Sequence, residues 1–127
     1  MKTSLLRLLV LLAWMLLGAT GFARENNTFA GESGIAAMSR AELPTEARKT
    51  LNLIHYNGPF PYDRDGIEFR NFEKRLPRAQ RGYYREYTVQ TPGERNRGTR
   101  RIITGGDPVE VYYYTDDHYR SFRRIQD

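Results

Sequence analysis

Gly82-Tyr83-Tyr84-Arg85-Glu86-Tyr87-Thr88-Val89 is a run of aromatic and β-branched residues with a carboxylate at its centre. Such a composition specifies a strand, and turn signals on either side make it the expected central strand of an antiparallel sheet. Side chains alternate along a strand, so Tyr84, Glu86 and Thr88 share one face while Tyr83, Arg85, Tyr87 and Val89 share the other. One face therefore reads polar and the other apolar. A glutamate fixed between Tyr84 and Thr88 is held rigidly and can be aimed at a ligand, provided that cations compensate its charge. Arg95, Arg97, Arg100 and Arg101 follow within fifteen residues.

Upstream, Pro44 or Thr45 to Tyr56 is expected to be a helix. Glu46 lies in its first turn, Ala47, Leu51 and Ile54 recur at helical spacing, and Gly58 follows its end. Leu51 and Ile54 are expected to face the sheet, and His55 suits the negative end of the helix dipole. Gly58-Pro59-Phe60-Pro61-Tyr62 cannot continue a helix and leads to the turn Asp63-Arg64-Asp65-Gly66. Besides the short run Ile67 to Phe69, the strand candidates are Tyr83 to Val89, Thr99 to Thr104, Val111 to Thr115 and Tyr119 to Arg124. A helix followed by strands indicates an α+β fold, one N-terminal helix packed on an antiparallel sheet of about five strands.

The 127 residues divide into three parts. Lys2, Arg7, the apolar run Leu8 to Leu17 and the exit Gly21-Phe22-Ala23 read as a signal peptide, residues 1–23, too short in its apolar core to serve as an uncleaved anchor. Residues 24–40 read as a flexible tether and 41–127 as one folded domain. Export as a secreted protein and no membrane association after cleavage follow as expectations. The chain contains no cysteine, which excludes disulfides, thiol chemistry and thiolate metal sites.

The formal net charge is +5, and two of the cations belong to the leader. Residues 64–101 hold eleven basic and five acidic residues, whereas the flanking segments are slightly acidic. Cationic charge concentrated around the Glu86 strand suits a polyanion, although a solvated basic surface has the same signature. His118, in Asp-Asp-His-Tyr, supplies an imidazole. A carboxylate and an imidazole across a cationic pocket are what metal-free RNA transesterification requires: one takes the 2′-hydroxyl proton, the other protonates the departing 5′-oxygen, and guanidiniums stabilise the phosphoryl charge. Spacing alone leaves other readings open. Glu86 could pair with Arg101 as a sheet ion pair while His118 caps a turn, and Asp117 has no assigned role. A non-catalytic RNA-binding module would use the same Arg and Tyr surface, and a glycosidase could use Glu73 and Glu86 as paired carboxylates.

Several motifs in one order narrow these alternatives: Leu-Pro-Thr-Glu-Ala and Thr-Leu-Asn-Leu-Ile within Leu43 to Ile54, Asn-Gly-Pro-Phe-Pro-Tyr at Asn57 to Tyr62, the strand at Gly82 to Val89, Arg-Gly-Thr-Arg-Arg-Ile-Ile-Thr-Gly at Arg97 to Gly105, and Tyr-Tyr-Thr-Asp-Asp-His-Tyr at Tyr113 to Tyr119. Across Leu43 to Ile125 the chain resembles the secreted microbial guanyl-specific ribonucleases of the barnase superfamily, in particular the small streptomycete-type members. The resemblance implies Glu86 as general base, His118 as general acid, Arg97 and Arg101 as phosphate ligands, and Tyr119 at their border. It implies a guanine loop at Phe69, Arg70, Asn71, Phe72 and Glu73, with the Glu73 carboxylate accepting from the guanine N1 and N2 edge. It further implies RNA as partner, a barstar-like protein inhibitor, a monomer, and no metal or cofactor. Phe72 and Arg70 stand where such proteins carry arginine and glutamine, one residue is added between Gly105 and His118, and the disulfide of the streptomycete-type members is missing.

Overall fold

The computed structural model describes residues 34–126. The expected signal peptide, and the tether as far as residue 33, lie outside the described residues. The element order is β1 (Ala36–Ser39), a 3₁₀ turn (Arg40–Glu42), α1 (Thr45–His55), β2 (Ile67–Glu68), β3 (Tyr84–Thr88), β4 (Arg101–Gly105), β5 (Val111–Thr115) and β6 (Arg123–Gln126). The strands form one sheet in the order β1-β6-β5-β4-β3-β2. All pairings are antiparallel except β1 with β6, which run parallel. The α+β architecture is as expected, with six strands rather than about five.

The additional strand comes from the segment read as tether. Ala36–Ser39 pairs Ala36 with Arg123 and Met38 with Ile125, and Met38 is 5% exposed. Its Ala-Ala-Met-Ser sequence carries little strand propensity, so its order derives from the open edge of β6 and from burial of Met38.

Helix α1 places Ala47, Leu51 and Ile54 on one stripe, where they pack with Met38, Leu43, Val89, Ile102 and Tyr114. Thr50 on the same side donates to the Glu46 carbonyl at 3.1 Å and to the Thr88 carbonyl at 3.5 Å, fastening the helix to β3. Past the helix, Gly58 at φ +96° donates its N–H to the Leu53 carbonyl at 2.8 Å, a chain reversal for which glycine is suited.

The sheet face expected to be polar carries a second apolar cluster. Leu76, Tyr84, Ile103, Val111, Tyr113 and Phe122 pack there, covered by loops. Register explains the arrangement. Glu86 lies opposite Ile103, which lies opposite Tyr113, while Thr88 lies opposite Arg101, which lies opposite Thr115. The apolar cluster and the polar row thus sit side by side on one face, and Thr88, Arg101 and Thr115 of the polar row are themselves buried.

The last strand begins four residues later than the expected Tyr119, at Arg123. His118 and Tyr119 adopt φ of +56° and +69°, left-handed conformations that no strand accommodates and that aromatic residues rarely adopt. Residues 116–122 instead form the turn that brings these two side chains to the site.

Gly105 ends β4 beneath the Tyr83 ring, and a β-carbon there would lie 2.5 Å from Tyr83 Cε1 and 2.7 Å from Val111 Cγ1. The ring is not free to swing away, because its hydroxyl donates to Glu110 at 2.7 Å and it packs in a T-shaped contact with Tyr84. Gly105→Ala is therefore expected to lower unfolding free energy by roughly 1–3 kcal/mol, the usual cost of overpacking. Urea denaturation checks this, and an unchanged midpoint would mean that the Tyr83 contact yields freely.

Candidate active site

Glu86 is 5% exposed, in the middle of β3. A buried carboxylate is costly unless charged or hydrogen-bonding partners surround it. Arg97 Nη2 donates to Glu86 Oε1 at 3.2 Å, and Arg64 Nε lies 3.7 Å from the same oxygen. The Tyr119 hydroxyl donates to Oε2 at 2.8 Å.

Each partner is itself held. Arg97 donates from Nε and Nη2 to the Thr88 hydroxyl at 3.0 and 2.8 Å, so the residue two places along β3 aims the guanidinium at Glu86. Arg101 Nε donates to the Tyr119 hydroxyl at 3.1 Å, completing a relay from Arg101 through Tyr119 to Glu86. Burial, followed by the hydrogen bond to Glu86 and its charge, pushes the Tyr119 phenol above its ordinary value, so it stays a donor at neutral pH.

Arg101 is 2% exposed, and its Nη1 donates to the Arg97, Gly98 and Arg100 carbonyls at 3.3, 2.9 and 2.7 Å. It meets Glu86 through Tyr119, so the alternative of a Glu86–Arg101 sheet ion pair is not what forms. Nε and Nη1 of Arg101 are thus both committed to protein acceptors. These bonds fix the loop between β3 and β4.

Glu86 and Tyr119 form the floor of a cleft of about 420 Å³ whose walls include Phe69, Arg70, Asn71, Phe72 and Glu73. The structure thus brings the expected base and the expected guanine loop together. Phe69 stacks on Tyr119 with ring centroids 5.2 Å apart and meets Phe122 edge-on. Asn71, at φ +51°, donates its amide to the Leu76 carbonyl at 2.9 Å and accepts the Leu76 N–H at 3.1 Å, bracing the loop across its base. Glu73 is exposed and accepts Arg75 Nε at 2.7 Å. A carboxylate has about four lone-pair sites, so this ion pair leaves acceptor capacity for a base edge.

His118 lies outside that cleft. It is exposed, lines an adjoining depression with Arg97, Gly98 and Thr99, and tilts against Tyr119 at 4.9 Å between centroids. Its backbone N–H donates to the Thr99 carbonyl at 3.1 Å, which ties the turn to the loop bearing Arg97. Glu86 and His118 thus flank Arg97 and Tyr119 from two sides.

Three residues at the site were not singled out from the sequence. Thr88 was legible, because it shares the face of Glu86 by strand parity. Arg64, in a segment read only as a turn, and Arg75, two residues past Glu73, are brought in by loop geometry that no spacing announces.

Asp117, unassigned from the sequence, clips the His118 turn. Its Oδ1 accepts the Thr115 hydroxyl and the Ser121 N–H, both at 2.9 Å, and its Oδ2 accepts the Ser121 hydroxyl. Burial by itself would raise this carboxyl. The Ser121, Thr115 and Arg120 hydrogen bonds outweigh it and lower the group from 3.8 to about 2.

A family model described as ribonuclease matches residues 26–126. The chain is 56% identical over 93 residues to guanyl-specific ribonuclease Sa of Kitasatospora aureofaciens, covering 73% of this chain and 94% of that protein. It is 50% identical over 91 residues to guanyl-specific ribonuclease St of Saccharopolyspora erythraea, covering 72% and 88%. Its structure is similar to ribonuclease Sa2 complexed with mononucleotides, at 49% identity and a TM-score of 0.70, covering 73% of this chain and 95% of that one. It is likewise similar to ribonuclease Sa2 with guanosine-2′-cyclophosphate, at 50% identity and a TM-score of 0.68, covering 72% and 96%.

The lowered Asp117 carboxyl carries a stability consequence. A depressed folded value stabilises the protein above the ordinary carboxylate range, and that contribution disappears as pH falls from about 4 towards 2. Asp117→Asn is expected to melt at a lower temperature than the parent at pH 6, and most of the gap is expected to be lost as pH falls to about 2. Melting temperature against pH checks it, and a constant gap would mean that the carboxylate charge contributes nothing to the turn.

Proposed function

The chain belongs to the ribonuclease family, with the microbial guanyl-specific enzymes, and from that membership we propose that it cleaves single-stranded RNA after guanosine without a metal. The observation that carries the proposal is the Glu86 carboxylate, buried in the sheet yet lining the same cleft as Glu73 and the loop around it.

Guanine enters the cleft along the loop from Phe69 to Glu73, and its N1–H and N2–H donate to Glu73, because the guanine edge alone among the bases gives a carboxylate two adjacent donors. Glu86 then takes the 2′-hydroxyl proton, and O2′ attacks the adjacent phosphorus. The P–O5′ bond breaks as His118 protonates O5′, leaving a 2′,3′-cyclic phosphate. Hydrolysis runs the transfers in reverse: His118 takes a proton from water, Glu86 returns one to O2′, and a 3′-phosphate results. Arg97 and Arg101 stabilise the phosphoryl oxygens, and Tyr119 orients Glu86. A non-catalytic RNA-binding module would have no need to hold a carboxylate within the sheet.

The leader at residues 1–23 supports export with cleavage after Ala23, which N-terminal sequencing of the mature protein tests. The exported enzyme acts as a monomer, and its inhibitor would be an acidic protein of the barstar type, complementary to the basic cleft.

Total RNA incubated with the protein in excess EDTA is expected to yield fragments ending in guanosine 2′,3′-cyclic phosphate before guanosine 3′-phosphate. In the same assay Glu73→Ala is expected to lose cleavage after guanosine selectively, by roughly tenfold or more, from 1–3 kcal/mol of unpaired donors. Loss of cleavage on chelation would contradict the metal-free mechanism. Equal losses after all four bases would make Glu73 a structural residue.

A further inference from the structure

The guanine loop has a second side. Opposite the Glu86 cleft it borders another, of about 370 Å³, and the two share Glu68, Phe69, Arg70, Asn71 and Phe72 as a common wall. The second cleft contains neither Glu86 nor Tyr119, and its far wall carries Lys74, Arg78 and Arg81.

Charge in this cleft is unbalanced. Glu68 is its one carboxylate, lying 3.9 Å from Arg70 and 3.6 Å from Arg81 and accepting the Gly82 N–H at 3.0 Å. Among the described residues no carboxylate pairs with the side chain of Lys74 or Arg78, both exposed. The backbone carrying them is anchored: the Tyr84 hydroxyl donates to the Pro77 carbonyl at 2.7 Å, and Asn71 holds Leu76 from both of its amide atoms. Phe72, on the shared wall, is 80% exposed, with only the Arg70 guanidinium over its ring at 5.8 Å. An exposed aromatic face beside a cationic groove is the arrangement that holds a nucleotide of single-stranded nucleic acid.

Resting on the ribonuclease reading above, we propose that this second cleft binds the nucleotide 5′ to the guanosine. Polarity follows from the geometry. The scissile phosphate lies on the 3′ side of the guanosine, at Glu86, Arg97 and His118, so the strand attached to the guanosine's own 5′ oxygen extends across the guanine loop, away from them. There Arg78 and Arg81, with Lys74, take the 5′-phosphate, while the preceding base lies against Phe72. The enzyme thus reads guanine in one cleft and holds the strand, without base choice, in the next.

The test compares kcat/KM on the dinucleotide GpA, the 5′-extended ApGpA and the 3′-extended GpApA at about 50 mM salt, for the parent and for Arg78→Ala/Arg81→Ala. The parent is expected to prefer ApGpA over GpA by roughly three- to tenfold, the yield of a few exposed cation–phosphate contacts. In the double variant that preference is expected to fall below about twofold, with GpA and GpApA cleaved as by the parent, which also shows that the variant is folded. An ApGpA preference equal in both proteins overturns the subsite, and so does an equal loss on GpApA, which would make the arginines a general attractive field. A parent protein that cleaves none of the three contradicts the ribonuclease reading itself and the subsite with it.

Discussion

Burying a carboxylate in a β-sheet is unfavourable unless donors reach both of its oxygens, and at Glu86 those donors come from three separate parts of the chain. Arg64 and Arg97 meet Oε1, and Tyr119 meets Oε2. Satisfying Glu86 therefore requires the loop before β2, the loop before β4 and the turn before β6 to converge on the middle of β3. The same convergence creates a pocket in which a carboxylate, guanidiniums and an aromatic wall stand within reach of one another. Stability and chemistry are coupled here, because removing any one donor leaves Glu86 less satisfied and also disarms the site.

The two faces of the sheet divide the labour. Helix α1 seals one face with Ala47, Leu51 and Ile54, and a rigid β3 follows from that packing. The other face is sealed only in part, by Leu76 and Phe122 from loops, and the unsealed remainder is the cleft. Asp117 and the left-handed backbone at His118 and Tyr119 complete the arrangement. They store local strain that the turn's hydrogen bonds offset, and they point two aromatic side chains at the site in place of extending β6.

Much of this was legible in the residues. Alternation along Gly82 to Val89 placed Glu86 and Thr88 on one face, and the 3.6-residue spacing of Ala47, Leu51 and Ile54 located the helix and its buried side. Tertiary demands erased other signals. Ala36–Ser39 lacks strand composition and becomes a strand only because β6 offers an edge. Tyr119 looked like the start of a strand because its β propensity is real, yet the Asp117 clip holds it in a turn. The alternative that paired Glu86 directly with Arg101 fails for a related reason: Arg101 Nη1 is taken by three carbonyls, and its connection to Glu86 runs through Tyr119. Side-chain alternation reports a face and carries no information about which acceptor a long guanidinium will choose.

The central claim is that Glu86 moves a proton and does not merely hold the pocket together. The most direct test is the transesterification rate of Glu86→Gln on a guanylyl dinucleotide, measured alongside its affinity for guanosine 3′-monophosphate. Glutamine keeps the shape of the side chain and its acceptor for Arg97 while removing the basic oxygen. The account predicts a rate lower by about two to four orders of magnitude with affinity changed only a few-fold. A rate within tenfold of the parent, or a loss of rate matched by an equal loss of affinity, would contradict it.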